Sequence, residues 1–200
     1  IILKHLKITF LEIILGIFLG TILGCIAALT VFIFKPARMW LLPVLVASQA
    51  IPVFAIAPLL VLWLGYGISS KIAMAVLIIF FPVTANFLDG LRQTKRDLID
   101  IAKVMSYQNK YSTLMLLRYI QIPSAIPNLG SGIRVAAAVA PIGAIVGEWV
   151  GSGAGLGYLM LQSNAKFQID LMFASLLVII FISVIIYFVI DIFIKILIKW

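Results

Sequence analysis

Residues 8–34 read ITFLEIILGIFLGTILGCIAALTVFIF, and Glu12 is their only charge. Lys35-Pro36-Ala37-Arg38 ends the run with two positive charges and a helix breaker. A helix of about 20 mostly apolar residues crosses a bilayer, and the alternation of period two that a strand needs is absent. The stretch therefore reads as a membrane-spanning helix. Four more apolar stretches follow: 41–64 with Pro43, Pro52 and Pro58; 71–88 with Pro82; 126–149 with Pro127 and Pro141; and 171–194. Three prolines in 41–64 predict a broken or kinked helix, a surface segment first and a span after it. Such breaks survive only where protein or a water-filled cavity covers the freed backbone. The expected fold class is all-α, a polytopic membrane helix bundle with five spans in one domain over 1–200.

Composition agrees. Hydrophobic residues make up 64% of the chain and charged residues 11%, with a mean hydropathy of +1.23. A soluble domain is about half apolar and a quarter charged, so soluble and disordered classes are excluded. One cysteine, Cys25, excludes a disulfide framework and a Cys-based metal site. The net charge of +8 belongs to the asymmetry by which Lys and Arg gather on the cytoplasmic side, not to nucleic acid. With the 91–118 loop inside, Lys35, Arg38, Arg92, Lys95, Arg96, Lys103, Lys110, Arg118, Lys195 and Lys199 face the cytoplasm. Lys4, Lys7, Lys71 and Lys166 face outward, and Arg134 lies within a span. The expected localisation is the inner membrane, multi-pass, with that loop and the C-terminus cytoplasmic. Ile1 then lies outside, which implies an earlier span upstream or an atypical start.

Gly16, Gly20, Gly24 and Ala28 recur every four residues and place small side chains on one helix face. Such a face admits close helix approach, and packing within the chain is preferred over a subunit interface. The loop Gly151-Ser152-Gly153-Ala154-Gly155-Leu156-Gly157 fails the dinucleotide fingerprint in either frame, and no Gly-Lys pair exists for a Walker A loop. The loop is expected to be a tight turn outside the membrane. No cofactor is expected in this chain. The single histidine, His5, has no second His or carboxylate pair at ligand spacing, so metal or triad catalysis is unsupplied. Charges within spans are functional suspects. Glu12, Arg134 and Glu148 qualify, although Arg134 can snorkel to the inner surface and Trp149 suits an interfacial belt. The spans otherwise carry almost no ionisable residues.

Residues 89–112 are the long polar segment. Asp97 can cap a helix, and Asp100 favours its positive end. Leu98, Ile101, Ala102 and Met105 recur at i, i+3, i+4 and i+7, with Lys103 opposite. Such a helix either lies on headgroups or docks into a soluble partner.

The order Leu98-Ile99-Asp100-Ile101-Ala102-Lys103, then Tyr119-Ile120-Gln121-Ile122-Pro123, resembles the EAA loop of ATP-binding cassette importer permeases. In that pattern Asp100 stands for the Glu, Ile101 and Ala102 for the alanines, Ser106 for the Gly, and Ile120 with Ile122-Pro123 for the end. Thirteen residues separate Ser106 from Ile120, four more than the pattern has. Ser48-Gln49-Ala50-Ile51-Pro52, Trp63-Leu64-Gly65-Tyr66-Gly67 and Ser131-Gly132-Ile133-Arg134 resemble the nitrate, sulfonate, taurine and pyrimidine branch. Residues 141–174 look most like permeases for the hydroxymethylpyrimidine precursor of thiamine.

The resemblance implies a transport subunit and not an enzyme. It implies a second permease copy, two ATPase subunits that bind ATP and Mg, an extracytoplasmic substrate-binding protein, and surrounding membrane lipid. It assigns ATPase coupling to Asp97, Asp100, Ile101, Ala102, Met105 and Ser106. Ser48, Gln49, Asn86 and Asn164 become candidate pore-lining residues. The alternatives are the same importer class for nitrate, taurine or alkanesulfonates, and more distantly a secondary carrier or channel, against which the absence of internal repeats speaks.

Overall fold

The computed structural model describes residues 1–105 and 112–198, with backbone alone at 35, 102, 103, 105, 112 and 113. The elements are α1 (Ile2–Ile33), α2 (Lys35–Ala50), α3 (Val53–Leu64), α4 (Ile68–Arg92), α5 (Arg96–Met105) and α6 (Ser112–Leu116). A π-helical turn (Leu117–Gln121), α7 (Ile122–Gly151), α8 (Leu156–Ala165) and α9 (Ile169–Leu197) complete them. No strand occurs among the described residues.

Among the described residues, four helical stretches are long and apolar enough to cross a membrane: Ile2–Ile33, Ile68–Arg92, Leu114–Gly151 and Ile169–Leu197. The pair α2–α3 passes the same test only as one unit, bent by 106°. The break falls at Ile51-Pro52, where Pro52 supplies no N–H and pushes Ile51 to extended backbone (φ −86°, ψ 120°).

Close contacts along the glycines fix the directions of the helices. A Cβ on Gly16 would meet Ala75, on Gly20 Ile79 and on Gly24 Val83, so α1 runs parallel to α4. Gly147 faces Lys71, Gly143 faces Ala75 and Gly132 faces Pro82, so α7 runs antiparallel to α4 on another side. Parallel α1 and α4 require the chain to return between them, and the bent α2–α3 pair makes that return. Gly130 meets Ile194, so α9 runs antiparallel to α7 and ends on the side of α5. Among the described residues the candidate spans number four, or five with the bent α2–α3 pair counted as one, and residue 1 and residue 198 lie at opposite ends.

In lipid no hydrophobic force drives helices together, and small residues that admit close packing take its place. The core shows this: Ala75, Ala136, Ala137, Ala140 and Ala144 are buried with Ile13, Ile17, Ile79 and Val83. The helix α9 is different. Leu177, Phe181, Phe188 and Phe193 are exposed on it, a surface suited to lipid.

Two boundaries differ from the sequence reading. The first span starts at Ile2, not at residue 8. The fourth begins well before residue 126, because Pro123 and Pro127 do not break it. Pro123 falls in the first turn of α7, where its missing N–H is tolerated. The preceding π turn absorbs the register change.

Candidate functional site

Three places in the fold carry polar chemistry. The first is the bend between α2 and α3. A cavity of about 90 Å³ there is lined by Ser48, Gln49, Ile51, Val53, Ile56 and Leu77. Its lining holds no charge. The Ser48 hydroxyl donates to the Leu45 carbonyl at 2.7 Å. Of the four candidate pore residues, this cavity brings together Ser48 and Gln49. Asn86 is elsewhere on α4, donating to the Pro82 carbonyl at 2.8 Å. Asn164 is exposed on α8, and its carbonyl accepts the Phe167 N–H at 3.1 Å.

The second is α5, at the end of the bundle opposite residue 1. The helix begins at Arg96, so Asp97 stands inside the first turn and not ahead of it as a cap. There its charge still favours the helix N-terminus. Leu98 and Ile101 are 42% and 56% exposed among the described residues. Ala102 and Met105 continue the apolar stripe in sequence, and the backbone at both is helical. Ser106 and Lys110 lie outside the described residues.

The third place was not legible as a unit in the sequence. Glu12 of α1, Lys71 of α4 and Glu148 of α7 are buried, at 0%, 7% and 0% exposure. The Lys71 ammonium is 3.1 Å from Glu12 Oε1. Glu148 Oε1 accepts the Thr9 hydroxyl at 2.5 Å. Its Oε2 accepts the Gly157 N–H at 2.5 Å and the Tyr158 N–H at 3.4 Å. The Leu156 N–H donates to Thr9 Oγ1 at 2.8 Å, and the Gly155 N–H donates to His5 Nδ1 at 3.0 Å.

These contacts correct three readings. The spans do hold ionisable groups, partnered across helices. Lys71 lies buried near the start of α4. The glycine-rich segment is more than a turn, since its end wraps a carboxylate. Arg134 also does not simply snorkel: its Nε donates to Asp191 Oδ1 at 2.6 Å, and Lys195 lies 2.7 Å from Asp191 Oδ2. The usable signal was the cost of isolated charge in lipid, which required partners without naming them. Among the described residues no group of three or more His, Cys, Asp or Glu could hold a metal ion.

Comparison with known proteins adds the following. The family model described as binding-protein-dependent transport system inner membrane component matches residues 20–200. A probable ABC transporter permease protein of Haemophilus influenzae is 55% identical over 94% of this chain and 75% of its own length. The formylaminopyrimidine transport permease protein ThiX of Halalkalibacterium halodurans is 38% identical over 87% of this chain and 68% of its own. The riboflavin transport system permease protein RibX of Chloroflexus aurantiacus is 40% identical over 80% and 58%. A crystal structure of an amino acid ABC transporter shares the fold, with a TM-score of 0.69 at 15% identity over 96% of this chain and 90% of that one.

Proposed function

The chain belongs to the family of inner membrane components of binding-protein-dependent transport systems, and from that premise we propose that it imports a small aminopyrimidine of the thiamine-precursor type. Membership makes it a multi-pass transport subunit whose ATP hydrolysis resides in separate ATPase subunits. The observation that carries the substrate is the 38% identity with a formylaminopyrimidine permease over 87% of the chain. The uncharged lining at the α2–α3 bend suits a flat, neutral solute. A riboflavin permease at 40% identity supports a second reading, a larger heteroaromatic solute.

In this reading two copies of the chain pair over two ATPase subunits. The segment with Asp97, Asp100, Ile101, Ala102, Met105 and Ser106, in which Leu98 and Ile101 are exposed, docks into them from the cytoplasmic side. The excess of Lys and Arg at that end supports the orientation. ATP binding draws the ATPases together and shifts the permease between two packings. An extracytoplasmic binding protein delivers the solute at the other end.

The test is growth of a thiamine-biosynthesis mutant that depends on supplied pyrimidine. Deleting this permease should abolish growth on low pyrimidine, and high pyrimidine or thiamine should restore it. Intact pyrimidine uptake with lost use of riboflavin, taurine, alkanesulfonate or nitrate refutes the substrate.

A further inference from the structure

We propose that Glu148 is a positioning residue for transport, fixing α8 to α1 so that the two move as one rigid unit through the transport cycle. The inference rests on the importer reading but not on the identity of the solute.

A helix begins with N–H groups that have no partner within it. In α8 these belong to Gly155, Leu156, Gly157 and Tyr158. All four are taken by side chains of other elements: Gly155 by His5, Leu156 by Thr9, and Gly157 and Tyr158 by Glu148. Thr9 also donates to Glu148, so α1 and α7 share one polar knot under the first turn of α8. Negative charge is favourable at that position.

The local sequence is shaped around the carboxylate. Gly155 has φ +121°, and a Cβ there would run into the Glu148 carboxyl group. A Cβ on Gly157 would lie 2.9 Å from Glu148 Oε2. Both positions are glycine because the carboxylate occupies the space. Beside the knot, a cavity of about 540 Å³ separates α1 from α8, with Lys4, His5, Tyr158, Gln162 and Lys166 in its lining. Behind the knot, the Lys71–Glu12 pair ties α4 to α1. A helix held by so many buried polar contacts is poorly suited to swing alone.

The His5 and Tyr158 rings stack with centroids 6.2 Å apart, which makes them the place for a covalent test. In the assembled transporter, on a Cys25→Ser background, His5→Cys with Tyr158→Cys should be bridged by a short, reducible bis-thiol reagent both without nucleotide and with ATP bound. Uptake of labelled aminopyrimidine should stay within about twofold of the reduced protein. A cross-link that blocks uptake reversibly, or one that forms in only one nucleotide state, overturns the proposal.

Glu148→Gln supplies the second arm, because it removes the negative charge at the first turn of α8. Solute imported per ATP hydrolysed should fall by about tenfold or more at unchanged assembly, and the cross-link should restore part of it. A wild-type ratio, or equal losses of uptake and hydrolysis, overturns the proposal. If Glu148→Gln does not assemble, Thr9→Val carries the same arm, with Thr9→Ser as the rescuing variant. If the wild-type transporter imports no aminopyrimidine, the solute assignment fails. The unit is then read from ATP hydrolysis stimulated by the cognate binding protein, bridged against reduced.

Discussion

Replacing Lys71 by Met tests the buried cluster most directly. The side chains of Lys71 and Glu12 are 9% and 0% exposed, with the ammonium 3.1 Å from the carboxylate. Met keeps most of the aliphatic stem, which packs against α7 where a Cβ on Gly147 would lie 3.2 Å from Lys71 Cβ. The substitution therefore removes charge more than volume. Breaking a buried ion pair by deleting one partner costs about 3–5 kcal/mol, because the other charge is left uncompensated. That corresponds to roughly two to three and a half decades in the folding equilibrium. Replacing both partners by neutral groups costs much less. The assay is a double-mutant cycle on the purified transporter: Lys71→Met, Glu12→Gln and both together, each followed by thermal unfolding. The double variant should recover at least about half of the loss of Lys71→Met, as a coupled pair requires. If the two losses simply add, the pair does not interact and the assignment of Lys71 to Glu12 is wrong.

Four further outcomes follow from named contacts. Gly20→Ala should destabilise the bundle by about 1–3 kcal/mol in the same unfolding assay, because the new Cβ would lie 2.7 Å from Ile79 Cγ2, a side chain with no exposure. Gly155→Ala should reproduce the transport defect of Glu148→Gln while leaving membrane insertion intact, since the added methyl displaces the carboxylate. Asp191→Asn should lower the unfolding temperature less than Lys71→Met does, because Arg134 and Lys195 stay partly exposed at 27% and 68% and retain access to water. Ala102→Glu should insert normally yet lose ATPase subunits in a pull-down, as expected if α5 buries its apolar stripe against them; normal retention would remove Ala102 from the docking face.

The fold was largely legible because the bilayer imposes one strong requirement. Every spanning backbone must satisfy its own hydrogen bonds, so long apolar runs such as 8–34 and 171–194 could only be helices. The prolines were less informative. Pro52 does break the chain, but Pro82, Pro127 and Pro141 lie within continuous helices. The small stripe Gly16, Gly20, Gly24 announced close packing, while its partner α4 required three dimensions. The α5 helix stood out by its polarity and apolar periodicity together.

The buried cluster shows where single-sequence reading stops. Glu12, Lys71 and Glu148 lie in three different apolar segments, each with no local partner. Separately each looks like an isolated charge near the end of a span. In hydrocarbon an isolated charge is costly, so their presence already demanded that they meet. What the sequence could not supply was the order of the helices. With α4 lying between α1 and α7, parallel to one and antiparallel to the other, the start of α4, the early part of α1 and the end of α7 fall at the same depth. Lys71 on the central helix then reaches Glu12, and Glu148 takes the Thr9 hydroxyl of α1 and the amides of α8. The same logic, applied at the opposite end, brings Arg134 of α7 to Asp191 of the antiparallel α9. Charge therefore marks which residues must pair, and helix direction decides with whom.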